Sequence, residues 1–258
     1  MKNILKQILI ALVMTAFLLI AIAVHAEDAQ PAPAGRDAFV MVGNTVVFGR
    51  YEQDNDTSNG MEGIEWIVLD VDGEKALLLS KYGLETVQYN STYEATTWES
   101  CTVRQWLNHE FMDAAFTEEE KAAILVTDVD NSSSQGYSEW HAPGGNDTQD
   151  QVFLLSYAEA NKYLNVTYEN RENIEARVIP TAYALAKGAL TSEGFLTTEG
   201  TDAGRWWLRS PGHVPVRAAY VYRTGSLSDA HVTAFNYRFG GRAVARPAIW
   251  LDLTADIF

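Results

Sequence analysis

The stretch from Arg205 to Leu253 constrains the fold more than any other part of the chain. Three strand-like runs can be read in it, Trp206–Ser210, Ala218–Tyr222 and Val244–Leu251, with Gly212, Gly225 and Gly240–Gly241 as turn punctuation. Between Arg205 and Arg246 lie seven arginines, no lysine and a single acid, Asp229. That is a formal charge of +6 inside a chain whose net charge is −15. Such a tract is expected to form the sheet onto which the rest of the chain packs, with its exposed parts as the working face. Trp206 and Trp207 are neighbours on a strand and must point to opposite faces, so at most one can meet a ligand. Pro247 lacks a ladder donor and places Arg246–Leu251 at an edge or at a strand start. Arg209 and Arg246, inside strand runs, are read as structural arginines paired to carboxylates.

The N-terminus has the layout of a secretory signal over residues 1–26. Lys2 and Lys6 precede an apolar run, Ile8–Val24, broken only by Thr15, and Val24-His25-Ala26 offers small residues at a cleavage site. An uncleaved anchor is the alternative. Residues 27–43 read as a Pro/Ala-containing linker, and residues 44–258 as one domain. Loss of Lys2 and Lys6 with the signal takes the charge to −17. A chain that acidic is repelled by nucleic acid and by anionic lipid, so neither is expected as a partner, nor is membrane insertion after cleavage. Cys101 is the only cysteine. It excludes an internal disulfide and reads as a small buried apolar residue.

Ile64–Val71 and Glu74–Ser80 flank Asp72-Gly73, which predicts a hairpin with positive φ at both turn residues. Apolar spacing predicts an amphipathic helix from Thr102 to about Ala115. Thr117-Glu-Glu-Glu120 and Ser156-Tyr-Ala-Glu159 are capping boxes opening helices to Leu125 and Leu164. A third helical run, Thr181–Lys187, ends at Gly188. Residues 128–150 are a long polar segment, expected to be functional or locally ordered.

Within that segment Asp128, Asp130, Ser132 and Glu139 occupy the first, third, fifth and twelfth positions of a calcium-loop template. The sixth position, where the loop requires glycine, is Ser133. The pattern fails where its geometry is strictest, so a solvated acidic loop is the reading here, with calcium the alternative, and no cofactor is expected. No phosphate loop, nucleophile elbow or Cys/His metal spacing is present.

An ordered set of motifs supports a resemblance. It runs from Glu65-Trp-Ile-Val-Leu69 through Trp98-Glu-Ser-Cys-Thr-Val-Arg-Gln-Trp-Leu-Asn108, Phe116-Thr-Glu-Glu-Glu-Lys121 and Gly145–Asp150 with Val152–Ser156. It closes with Trp206-Trp-Leu-Arg-Ser-Pro-Gly212 and Arg246-Pro-Ala-Ile-Trp-Leu251. The chain resembles, over about Asn44 to Leu253, a bacterial domain of unknown function, family 6273, found in secreted and surface proteins of gut anaerobes. More distantly it looks like the C-type-lectin-like fold, an α+β architecture with mixed and antiparallel sheets, an N-terminal hairpin and two or more packed helices. That fold also serves the formylglycine-generating enzyme, whose chemistry needs two cysteines where this chain has one. Lectin-type calcium motifs, Glu-Pro-Asn and Trp-Asn-Asp, are absent. In the diversified binders of that fold, the residues before the closing strand carry the ligand surface, here His213 to Arg242.

The expectation is therefore an extracellular or cell-surface, non-enzymatic module that binds a glycan or peptide, with an anionic ligand suiting the arginines. The expected binding residues are Arg223, Asp229, His231, Tyr237, Arg238 and Arg242. A secreted glycan- or cell-wall-acting enzyme and a structural surface module are the alternatives.

Overall fold

Trp66 and Trp206 sit in two separate five-stranded sheets, and both are fully buried. The computed structural model describes residues 35–233 and 243–258, so the secretory signal expected over residues 1–26 lies outside the described residues. The first sheet has the order β1-β2-β3-β12-β7, from Thr45–Tyr51, Glu62–Asp72, Lys75–Ser80, Ala248–Asp252 and Val152–Phe153, all antiparallel. The second has the order β10-β9-β8-β11-β4, from Leu227–His231, Arg217–Val221, Trp206–Pro211, Val244–Ala245 and Glu85–Thr86. In it only the β8–β11 pair is parallel. The architecture is thus mixed α+β with antiparallel and mixed sheets and short helices. Among the described residues no helix is long and apolar enough to cross a membrane.

The arginine-rich tract supplies most of the second sheet, but its last run is not one strand. Val244–Leu251 divides at Arg246-Pro247 into β11 and β12, which belong to different sheets. Proline cannot donate to a ladder, and here its carbonyl instead accepts from the Ser80 N–H at 2.8 Å as the chain crosses over. The tract therefore ties two sheets together, which the single-sheet expectation did not include.

The β2–β3 hairpin forms one residue further on than its Asp-Gly signal suggests. Asp72 pairs with Lys75, which leaves Gly73 and Glu74 as the turn. Gly73 has φ +63°, and Asp72 and Glu74 are not in the positive region. Positive φ at the first turn position alone is the second hairpin solution, and glycine fills it. Asp72 stays in the strand, where it meets Lys75 at 3.0 Å.

The predicted helix at Thr102–Ala115 is helical throughout but not uniform. α2 (Thr102–Trp106) and α3 (Met112–Ala115) are joined end to end by a π-turn, Leu107–Phe111. Both capping boxes form. Thr117 Oγ1 accepts from the Glu120 N–H and starts α4 (Glu118–Ala123), and Ser156 Oγ accepts from the Glu159 N–H and starts α5 (Tyr157–Leu164). Thr181 caps α6 (Ala182–Ala186) in the same way. The packed unit begins before Asn44, because Phe39 in α1 (Arg36–Phe39) is buried edge-on against Phe258.

The polar segment 128–150 is locally ordered. β5 (Thr127–Val129) and β6 (Thr148–Asp150) pair at its ends. Asp150 is buried and accepts from Trp98 Nε1 at 2.8 Å, Arg104 Nε at 2.6 Å and Thr148 Oγ1 at 2.7 Å. Asp128 and Asp130 are engaged with Gln149, Ser132 and Gln135. Asp128, Asp130 and Glu139 do not converge on a point an ion could share, since the one convergent acid cluster among the described residues lies elsewhere.

Candidate ligand-binding site

The structure sorts the five described arginines of the tract, Arg205, Arg209, Arg217, Arg223 and Arg246, by what they touch. Arg209 is buried and forks onto the Glu159 carboxylate, Nη2 to Oε1 at 2.9 Å with Nη1 on Oε2, while also donating to the Leu154 and Asp130 carbonyls. This is the carboxylate pair expected of it. Arg246 departs from that expectation. It is buried without a carboxylate, donates from Nε to the Ser80 carbonyl at 2.9 Å and lies over the Trp206 ring at 5.0 Å. Burial alone pulls its pKa below the ordinary arginine range. Arg217 holds Asp229, Nε to Oδ2 at 3.0 Å.

Arg205 and Arg223 are different, because neither forms an ion pair among the described residues. Both lie at the turn end of the β9–β10 hairpin, around Tyr222. The Arg205 guanidinium sits 4.8 Å from the Tyr222 ring centroid and that of Arg223 4.6 Å. Arg223 also lies 4.9 Å from the Phe195 ring and donates to Ser192 Oγ at 2.6 Å. A guanidinium against a ring face gains cation–π attraction, which offsets part of the desolvation of Arg223, whose Nε is shut off from solvent without a hydrogen-bond partner.

Arg205 and Tyr222 line a cleft of about 450 Å³ together with Tyr168, Arg171, Tyr220 and Ser228. The hairpin turn forms its lip. Gly225 has φ +85°, and a Cβ there would stand 1.9 Å from the Asn173 carbonyl oxygen, so only glycine lets the turn and the neighbouring loop approach. The loop is strapped on by the Leu227 N–H donating to the Thr167 carbonyl at 2.8 Å and the Asn173 N–H to the Thr224 carbonyl at 3.1 Å. These bonds set Tyr168 and Arg171 on the far wall. The near wall is rigid, because Trp207, Tyr220 and Tyr222 pack edge to face from the core outward. Tyr220 is buried, and that burial raises its phenol pKa.

Tyr168 belongs to two features at once. It lines the arginine cleft and stacks on Tyr137 at 5.7 Å and 17°. Tyr137 and Trp140 in turn line a second cleft of about 550 Å³ with Ser132, His141 and Pro143. The two clefts therefore share an aromatic partition. None of the described residues lining either cleft is Asp or Glu.

Of the residues expected from the sequence, Arg223 stands near the cleft mouth. Asp229 and His231 lie toward the other end of the hairpin. The Asp229 carboxylate is mostly buried and committed to Arg217, to the His213 ring and to the His213 N–H at 3.0 Å. His231 packs on Tyr93 with centroids 5.0 Å apart. Tyr237, Arg238 and Arg242 lie outside the described residues. Trp206 and Trp207 are both fully buried, donating to the Ala176 and Val87 carbonyls. Sequence reasoning passed over Tyr168 and Arg171, which sit in a polar loop with no periodicity or motif to mark them.

The family described as a domain of unknown function, DUF6273, matches residues 73–253, and the chain belongs to that family. No curated protein and no solved structure matches the chain.

Proposed function

We propose that this chain is an extracellular or cell-surface binding module, exported by its first 26 residues and built on a C-type-lectin-like α+β plan, that takes an anionic glycan without turning it over. The observation that carries this reading is the trio Arg171, Arg205 and Arg223. None of the three has a carboxylate partner among the described residues; Arg171 and Arg205 line a cleft of ligand size with Tyr168, Tyr220 and Tyr222, and Arg223 lies over the Tyr222 ring beside it. A planar guanidinium binds carboxylate or sulphate through two parallel hydrogen bonds, and a tyrosine face stacks on a sugar ring. The rest of the chain is strongly acidic, so the arginines offer a local positive site on a protein that repels polyanions elsewhere. The described residues of the lining include no acid, which favours binding over glycoside hydrolysis, a reaction that uses a pair of carboxylates.

The test is calorimetric titration with an oligogalacturonate, its methyl-esterified neutral form and an acidic peptide. The acidic sugar should bind, more weakly as salt rises, and Arg205→Ala should lower affinity about tenfold or more. Equal binding of the neutral sugar, or no effect of Arg205→Ala, would remove the anionic reading. Binding of the acidic peptide alone would move the ligand class from glycan to protein.

A further inference from the structure

The loop between β1 and β2 holds a second feature, remote in sequence from the arginine cleft and independent of it. Glu52, Asp54 and Glu62 each place one carboxylate oxygen within 4.8 Å of the other two. None of the three forms an ion pair with Lys, Arg or His among the described residues. Three like charges at that spacing repel one another and need a compensating partner.

Glu52 supplies the second observation. It is only 8% exposed, and its Oε1 is shut off from solvent without a hydrogen-bond donor. A buried carboxylate oxygen left unpaired is rare in native proteins, because desolvation makes it costly. The other two carboxylates are preset. Glu62 Oε2 accepts from the Gln53 N–H at 2.7 Å and the Asp54 N–H at 3.3 Å. Asp54 accepts from the Asp56 N–H on Oδ1 and from Asn59 Nδ2 on Oδ2, both at 2.7 Å. The loop is anchored to α6 by the Tyr183 N–H, which donates to the Gln53 carbonyl at 3.0 Å. Asp54 is exposed and Glu62 half-buried, so the cluster runs from solvent to the buried Glu52 carboxylate, one of whose oxygens has no partner.

We propose that Glu52, Asp54 and Glu62 form a site for a hard divalent cation, calcium by its chemistry, at the base of the β1–β2 loop. The donor set is all oxygen, which suits calcium rather than thiophilic metals, and calcium accepts the irregular mixture of mono- and bidentate carboxylates that a loop provides. Loop carbonyls and water would complete its shell. The cluster lies before residue 73, outside the span matched by the family. The competing account is a proton shared between Glu52 and Asp54. Burial raises the Glu52 pKa, the Asn55 N–H opposes it, and the charges of Glu62 and Asp54 add to the rise.

Thermal unfolding of the full chain separates the two. Calcium at about ten times a millimolar-range Kd should raise Tm by roughly 4 °C or more relative to chelator. Glu52→Gln should abolish that shift, while the surface control Glu110→Gln should keep it. Calorimetry of chelator-stripped wild-type chain with calcium chloride should show one saturable site, which keeps the proposal testable if Glu52→Gln does not fold. No calcium-dependent shift and no heat of binding would overturn it. So would an equal shift in Glu52→Gln, or a Glu52→Gln chain that is more stable in chelator while wild type ignores calcium, which is the signature of the shared proton.

Discussion

Arg209 and Glu159 form a two-point ion pair that joins the central strand of the second sheet to the first turn of α5. The same Glu159 closes the capping box of α5 by accepting from the Ser156 N–H at 2.8 Å. One carboxylate therefore fixes both the start of a helix and the position of that helix on the sheet. Arg209 also donates to the Leu154 and Asp130 carbonyls, so the joint reaches β7's continuation and the end of β5.

Removing Arg209 leaves the Leu154 and Asp130 carbonyls without that donor and the partly exposed Glu159 carboxylate with the Ser156 N–H. Arg209→Ala is expected to cost about 2–3 kcal/mol, less than the range for breaking a fully buried pair because Glu159 reaches solvent. Arg209→Lys should recover less than half of it, since an ammonium cannot fork onto two oxygens and two carbonyls at once. Urea denaturation measures both. A loss under about 1 kcal/mol for Arg209→Ala would mean that the pair contributes little beyond packing.

Arg205 is the contrasting case. Its guanidinium touches the Tyr222 ring and no carboxylate among the described residues, so Arg205→Ala should change stability by about 1 kcal/mol or less. The same substitution should weaken binding of an acidic glycan. The pair of readouts distinguishes a ligand-binding arginine from a structural one. An Arg205→Ala chain that melts as early as Arg209→Ala would place Arg205 among the structural ties.

Gly73 tests the hairpin turn. It has φ +63°, and a Cβ there would meet nothing within 4 Å. The cost of Gly73→Val is therefore backbone strain alone, about 1–2 kcal/mol for a β-branched residue. Gly73→Asn should recover most of it, because asparagine tolerates the left-handed region. An unmoved denaturation midpoint for Gly73→Val would show that the turn adopts another conformation.

Local signals were legible where the chemistry is local. The capping boxes at Thr117 and Ser156, the cap at Thr181 and the helical spacing of Val103, Leu107 and Phe111 all act within a few residues, and each appears in the fold. The motifs behind the family resemblance proved to be joints. Trp98 and Arg104 meet at Asp150, Asn108 accepts from the Gln151 and Val152 N–H groups, and Arg209 and Arg246 bond to distant backbone. They identify the fold without marking a site, because burial and hydrogen bonding hold them in place. What was not legible depended on distant partners. The split of Val244–Leu251 between two sheets follows from which strands lie beside it. Arg246 found a tryptophan face and carbonyls where a carboxylate was expected. Tyr168 and Arg171 reach the cleft only because the Asn173 and Leu227 N–H groups strap their loop to the hairpin.

Alkaline titration examines the core directly. Tyr51, Tyr89 and Tyr220 are buried, and burial is the first cause raising each phenol above its ordinary pKa. The carboxylate of Glu85, which accepts from the Tyr51 hydroxyl, raises Tyr51 further. Tyr89 donates to the Arg209 carbonyl at 2.7 Å and would lose that bond on ionising. Cys101 follows the same rule, its buried thiol pushed up to about 12. These groups keep their protons in the folded state, while the unfolded chain releases them near the ordinary thiol and phenol values. The folded state then binds more protons than the unfolded one, so stability must fall as pH rises. The contribution is complete below about pH 8.5, where both states are protonated, and declines first through the thiol and then through the phenols. Each group removes about 1.4 kcal/mol per pH unit once its unfolded form is ionised. Near-ultraviolet absorbance should show the three buried phenols ionising only as the near-ultraviolet circular dichroism is lost. Ionisation of all three while the dichroism persists would mean that water reaches the interior between the sheets.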